Sequence, residues 1–434
     1  MKRKLINKLL DWKELSFRKP ILLTGGRGVG KTYLVYDFAK SFYTESIYMN
    51  FEREPFLYDV LFKNNPSEIE NVMKDYFHLS DSTEPILIIL DEVTNCPDIK
   101  YILNLLQNKP RNHIIAISST FNIDYKTDNI FYHLKLFPLD FEEFLIATGN
   151  EWYIEVITVH YKADTKIPDI VHQELLTLFE LYIEIGGMPL AVNEYNNIGS
   201  IINVSEQHRI LLNSFLSEVY KNNVEGNFLK ISQVFNTIAK QLMKENRKFQ
   251  YKLIRKGATQ ALYSDALKYI KNTGYGICCY KLGDEPADGF YNNYNKPSFT
   301  LFPTILKDYT HMNFKLYLLD SGLLNSTLKT QYAVIKEQYR RGLIENYVAQ
   351  CLTANGYSLY FWESDSKAKI DFIINKDRRI IPIEVRTGDN TRSRNVSIFR
   401  SKFQSVTDSI KISTRNFEYI NHTKYVPVYA VFCI

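Results

Sequence analysis

Apolar residues in the first third of the chain gather in short runs separated by polar or glycine-rich stretches. Ile21-Leu-Leu23, Ile86 to Leu90 and Ile114 to Ile117 show no alternation, as expected of strands buried on both faces. Ser46 to Phe51 alternates and reads as a further strand, while Tyr33 to Phe42 has helical spacing. The resulting β-α-β order predicts a parallel sheet. Residues 2–19 place Leu5, Leu9, Leu10 and Trp12 on one helical stripe, and Phe131 to Phe144 predicts a strand, a turn with Asp140 as N-cap, and a helix. These elements define an α/β core over residues 1–150.

Farther along, the period becomes helical. Residues 170–220 carry helical patterns broken at Gly186-Gly187-Met188-Pro189, which predicts a small helical lid over 151–225. From Phe228 to Leu282 the order is helix, turn, helix, polar connection, helix and strand, the order of a winged helix over 226–298, with Ala258 to Asn272 in the place of a recognition helix. Residues 283–298 read as a loop insertion. The last domain, 299–434, carries a strand and turn at Phe314 to Leu324, a helix at Arg341 to Ala354, and two apolar strands at Ile370 to Ile374 and Ile380 to Arg386.

Chemistry enters at Gly25-Gly26-Arg27-Gly28-Val29-Gly30-Lys31-Thr32, a G-x-x-x-x-G-K-T spacing between the first strand and the first long helix. Glycines let successive backbone N–H groups turn onto phosphate oxygens, and the helix N-terminus adds positive partial charge. ATP is the expected ligand, with Lys31 on its β- and γ-phosphates and Thr32 on Mg²⁺. The run ending at Asp91-Glu92 supplies the partner pattern: Asp91 near the metal shell, Glu92 to orient or deprotonate the attacking water. Ser119 either senses the γ-phosphate or merely caps its strand. Pro189 either presses on the adenine or makes a plain helix-helix turn.

A second constellation lies near the C-terminus. Asp371 and Glu384 each sit inside an apolar strand, where a carboxylate is costly unless paired or bound to metal. With Glu345 on the preceding helix and Arg386 two residues beyond Glu384, they resemble the PD-(D/E)xK nuclease arrangement, in which acids hold Mg²⁺ and a basic residue positions water at a phosphodiester. Arginine cannot deprotonate in a protein, so any step needing a neutral amine at 386 is excluded and cleavage is left open.

Composition adds little. A net charge of +5 over 434 residues permits nucleic-acid contact without requiring it. Lys244, Arg247, Lys248, Lys252, Arg255 and Lys256 suit DNA contact or protein packing equally, and Arg392, Arg394, Arg400, Lys402, Lys411 and Arg415 suit phosphate contacts or a solvated face. The five cysteines form no C-x-x-C pair, which suggests neither a disulfide framework nor a zinc site. No run approaches a membrane span and the basic start has no apolar signal core, so a cytoplasmic protein without membrane contact is expected.

Several of these motifs recur in order: the phosphate loop, Asp91-Glu92, Phe137 to Phe144, Gly186 to Pro189, Phe314 to Leu324, Gly342 to Glu345 and Ile383 to Arg386. Together they resemble the AAA-type P-loop ATPases of bacteria and archaea that carry a C-terminal winged helix and a nuclease-like domain. The resemblance implies an α/β P-loop NTPase with helical lid, winged helix and restriction-endonuclease-like domain, using ATP and Mg²⁺, facing DNA, and in some relatives assembling as rings. Two departures matter. Asn129-Ile-Phe-Tyr132 stands where relatives often carry Gly-Arg, and Arg386 stands where they carry lysine. Two functions follow: an ATP-hydrolysing switch coupled to a DNA-facing nuclease-like domain, or a nucleotide-dependent DNA- or protein-binding scaffold whose nuclease-like domain is inactive.

Overall fold

The computed structural model describes residues 1–63, 69–80, 83–96, 98–107, 109–120, 130–222, 225–282, 313–331, 337–364, 368–389 and 393–434. The expected insertion at 283–298, Asn129 and Arg392 lie outside these. Contacts divide the chain into two units: residues 1–138 with 272–274, and residues 139–271 with 275–434.

The first unit alternates helix and strand: α1 (Leu5–Lys13), β1 (Ile21–Thr24), α2 (Lys31–Phe42), β2 (Glu45–Asn50), α3 (Phe56–Lys63), α4 (Ile69–Phe77), β3 (Ile86–Asp91), α5 (Ile99–Gln107), β4 (Asn112–Ser118) and β5 (Tyr132–Lys135). Its strands lie in the order β2-β3-β4-β1-β5, every pairing parallel. β1, β3 and nearly all of β4 are buried, as their unbroken aliphatic runs require. One side of the sheet packs Ile47, Met49, Ile88, Leu90 and Ile114 against Ile99, Leu103 and Leu106 of α5. Thr24, Asn50, Asp91 and Ser118 end β1 to β4, which places them at the carboxyl edge where open α/β sheets bind ligands.

The second unit opens with helices: α6 (Phe141–Ala147), α7 (Trp152–Ala163), α8 (Asp169–Ile185), α9 (Pro189–Ile198), α10 (Ile201–Asn222), α11 (Glu225–Leu242) and α12 (Gln260–Asn272). It continues with β6 (Gly276–Lys281), β7 (Phe314–Leu318), α13 (Ser321–Gln331), α14 (Glu337–Ala354), β8 (Tyr360–Glu363), β9 (Lys369–Lys376), β10 (Arg379–Val385), α15 (Asn395–Lys402), β11 (Ser409–Ser413), β12 (Glu418–Ile420) and β13 (Thr423–Pro427). The strands form one mixed eight-stranded sheet, β12-β13-β11-β10-β9-β8-β6-β7.

Two features differ from the sequence expectation. The first unit closes at Pro138 rather than near 150, because α6 packs within the second unit: Phe141 and Phe144 meet Tyr182 of α8 edge-on. Asp140 caps α6 as expected, its Oδ1 accepting the Glu143 N–H at 2.9 Å. The strand closing the winged-helix pattern, β6, pairs antiparallel with β7 and parallel with β8, so it is an inner strand of the large sheet. All five cysteines remain thiols.

The glycine break after α8 has a packing cause. A Cβ on Gly187 would stand 1.9 Å from the Leu139 carbonyl oxygen, and the Gly187 N–H donates to buried Asp320 at 2.7 Å. Asp320 also accepts the Leu323 N–H at 2.9 Å, and Gly187 accepts the Leu139 N–H at 2.7 Å. Pro189 then opens α9 at its first turn, where its missing N–H costs nothing. The motif thus locks α8, α9 and the start of α13 together.

Candidate functional site

In the first unit the glycine loop leads from β1 into α2. Gly28 and Gly30 adopt φ of 84° and 93°, a left-handed geometry that side chains resist, and Gly30 is the residue immediately before the helix. Lys31, 6% exposed, is folded over the loop, its Nζ donating to the carbonyl oxygens of Gly25 at 2.9 Å and Gly26 at 3.2 Å and to Ser119 Oγ at 3.4 Å. A buried ammonium beside backbone carbonyls is a site whose cation is ready for a stronger anionic partner. Buried Arg3, from before α1, braces the loop by donating to the Val29 carbonyl at 2.8 Å and the Phe137 carbonyl at 2.5 Å.

The acids converge on the same edge. Thr32 Oγ1 donates to Asp91 Oδ2 at 3.0 Å, so the side chains expected to share a metal already touch. Glu92 sits at φ 51°, a left-handed conformation uncommon outside glycine, which turns its carboxylate away from the strand direction. Its Oε1 accepts the Ser119 hydroxyl at 2.5 Å. The Glu92 N–H donates to Asp91 Oδ1 at 2.9 Å, so Lys31, Thr32, Asp91, Glu92 and Ser119 form one connected network, fit to receive a triphosphate and a hard divalent cation through oxygen donors.

Sequence reasoning missed Tyr48 and Asn50. The Tyr48 hydroxyl donates to the Asp91 Oδ2 that Thr32 also uses, at 2.7 Å, and Asn50 Nδ2 donates to the Tyr48 hydroxyl oxygen at 3.0 Å. Burial raises the Tyr48 phenol well above its ordinary range, with the Asp91 charge adding to the effect and the Asn50 hydrogen bond opposing it, so it stays protonated as a donor. The only available signal was that both residues fall at the end of the strand beside β3.

In the second unit the three C-terminal acids are buried, and each faces cations. Glu345 Oε1 meets Arg247 at 3.1 Å and Arg341 at 3.4 Å; Oε2 meets Lys315 at 3.6 Å and accepts the Tyr317 hydroxyl at 3.2 Å. Burial opposes ionisation of Glu345, but Lys315, Arg247 and Arg341 outweigh it and hold the carboxyl down at about 2. Asp371 pairs with Arg341 at 3.4 Å and accepts the Val385 N–H at 2.9 Å; burial and the Glu345 charge push its carboxyl up. Glu384 is committed to Arg386 at 3.1 Å, Ser393 at 2.7 and 2.6 Å, Asn395 at 2.8 Å and Lys411 at 3.5 Å.

Glu345, Asp371 and Glu384, expected to share a metal ion, each face internal cations in this arrangement. Among the described residues no group of three His, Cys, Asp or Glu side chains is placed to hold one. The physical reason is that arginines and lysines fill the positions from which a cation would neutralise the acids. The basic clusters are likewise partly spent inside the fold. Besides Arg247, Lys248 pairs with Glu363, Arg255 donates to Tyr263 at 2.9 Å, Arg400 donates to the His422 carbonyl at 2.7 Å, and Arg415 pairs with Glu418. No single described helix is long and apolar enough to cross a membrane.

Residues 17–145 match the family model of an AAA domain, and residues 341–431 match that of a domain of unknown function, DUF4143. No curated protein matches the chain. Among solved structures the chain is similar to the Walker-type ATPase PABY2304 of Pyrococcus abyssi, at 13% identity over 75% of this chain and 95% of that one, with a TM-score of 0.44. It is also similar to PCH-2 of C. elegans, at 17% identity over 45% and 58% of the two chains and a TM-score of 0.29. A third is the Aeropyrum pernix ORC1 protein in complex with DNA, at 12% identity over 76% and 92% and a TM-score of 0.28. The AAA-domain match joins the network at the sheet edge: the chain carries an AAA-type, nucleotide-binding ATPase domain.

Proposed function

We propose that the protein is an ATP-hydrolysing switch whose C-terminal domain docks nucleic acid without cutting it. The observation that carries the first half is the network of Lys31, Thr32, Asp91, Glu92 and Ser119 at one sheet edge. In this reading Lys31 leaves the Gly25 and Gly26 carbonyls for the phosphates, which the N–H groups of Gly26 to Lys31 also meet. When Mg²⁺ is bound, Thr32 and Asp91 hold it and it offsets phosphate charge. Ser119 releases Glu92 Oε1 as it turns toward the γ-phosphate, and the freed Glu92 carboxylate orients and deprotonates water. Tyr48 and Asn50 keep Asp91 aimed.

Support for the second half is the commitment of Glu345, Asp371 and Glu384 to internal cations, with Arg386 unable to act as a base. The test is a pair of variants with two readouts. Lys31→Ala abolishes ATP binding in calorimetry, and Glu92→Gln keeps binding while turnover falls about 100-fold or more. Wild type incubated with DNA and Mg²⁺ or Mn²⁺, with and without ATP, retains DNA on a filter and leaves it intact. Normal turnover in Glu92→Gln overturns the role of Glu92, and cleavage lost in Asp371→Ala overturns the docking reading.

A further inference from the structure

Beside the paired acids the second unit holds a cavity of about 700 Å³. Six cationic side chains from five segments line it: Lys244 and Arg247 after α11, Lys315 on β7, Arg341 on α14, Lys369 on β9 and Arg386 after β10. The carboxylates on the same wall do not balance them. Asp371 is held by Arg341 and the Val385 N–H and Glu363 is paired with Lys248; behind the wall Glu345 meets Arg247, Lys315 and Arg341 and Glu384 meets Arg386, so of the six Lys244 and Lys369 are left without an ion-pair partner among the described residues. The Arg247 Nε is buried with no hydrogen-bond acceptor among the described residues, and Arg247 is itself 6% exposed. A buried donor without an acceptor is costly, and an oxyanion entering the cavity would supply one.

We propose that this cavity captures the oligophosphate group of a ligand, either a free nucleoside polyphosphate or the phosphorylated end of a nucleic-acid strand. Planar guanidinium donors from three arginines match phosphate oxygens in forked pairs, which lysines alone do not provide. Among the described residues the large apolar side chains on the wall are Phe361 and Ile370, both fully buried, so these residues present no ring for a base to stack on and their recognition falls to the phosphates. The volume suits a compact ligand or a chain end. Glu345 beneath the wall holds Arg247, Lys315 and Arg341 in place through its ion pairs with them. The inference rests on the reading of this site as non-cleaving.

The experiment uses the full chain with Lys31→Ala, which silences the phosphate loop, and titrates inorganic tripolyphosphate by calorimetry. One-to-one binding is expected, weakened at least tenfold by the added pair Lys244→Gln and Lys369→Gln. Neither lysine has an ion-pair partner among the described residues, so these changes leave the folded core intact, as a melting curve verifies. Absence of heat, or equal affinity in the double variant, overturns the proposal. Competition separates the two sources: displacement by a 5′-triphosphorylated oligonucleotide but not its 5′-hydroxyl form assigns a strand end, and displacement by ATP alone assigns a free nucleotide. If 5′-hydroxyl DNA is retained equally by the double variant, docking on DNA stands while the phosphate cavity falls.

Discussion

At the scale of single residues, shared acceptors matter most. Asp91 Oδ2 serves Thr32 and Tyr48 together, so Tyr48→Phe removes an aiming contact without removing a metal ligand. The expected result is a rise in the Mg²⁺ concentration needed for half-maximal ATPase rate, with a fall of about tenfold in kcat and little change in melting temperature. Glu345 gives a prediction in pH. Its carboxyl, held at about 2 when folded against an ordinary 4.5, contributes stability that is full above about 4.5 and lost as pH falls toward 2. Asp371, pushed up, runs in the opposite sense, so the comparison belongs in an Asp371→Asn background. There, acid should cost roughly 3 kcal/mol over that window through Glu345 in urea titrations, and Glu345→Gln should remove that share of the slope while destabilising the protein by about 3–5 kcal/mol at neutral pH.

Among elements, the glycine motif and the core strands are the most constrained. Gly187→Ala drives a methyl into the Leu139 carbonyl and should cost at least about 3 kcal/mol, read as loss of the second unit's melting transition or of soluble protein. On β4, His113 lies between the Tyr43 hydroxyl at 2.6 Å and Arg18 at 2.5 Å; burial, then Arg18 and Lys13, pull its imidazole down to about 4. Its folded value lies below its unfolded one, so stability present above about 6.5 is lost as pH falls through about 4, and His113→Gln should flatten stability over that range. The elements that were legible from sequence were those whose signal is local. Unbroken aliphatic runs announced β1, β3 and β4, and Asp140 three residues before Glu143 announced the start of α6. What was illegible depends on partners distant in sequence. Nothing near Glu345 in the chain says that Arg247 and Lys315 will neutralise it, and an acid inside a strand looks the same whether an ion or a guanidinium awaits it. Tyr48 was hidden similarly, since its role follows from the parallel pairing of β2 with β3.

For the molecule as a whole, two compact units in one chain predict more than one unfolding transition. Magnesium and a non-hydrolysable ATP analogue at about 100 times Kd should stabilise the unit carrying the glycine loop by about 2.7 kcal/mol, and in Lys31→Ala that transition should not move. Scanning calorimetry with the two proteins side by side decides it; a shift that persists in the variant would place the nucleotide elsewhere.

The strands β6 and β7, and the arginine at 247, come from sequence well before the segment 341–431 that forms a recognisable family unit of its own. Cut out at that family boundary, the C-terminal piece would lose a sheet edge and leave Glu345 facing Arg341 alone among its three cations. Such a fragment should express as an insoluble or unfolded chain, whereas one beginning ahead of α6 keeps every counter-charge. A gene rearrangement that moved this module to a new host would therefore have to carry its helical approach along with it, making the inherited unit longer than the stretch by which it is recognised.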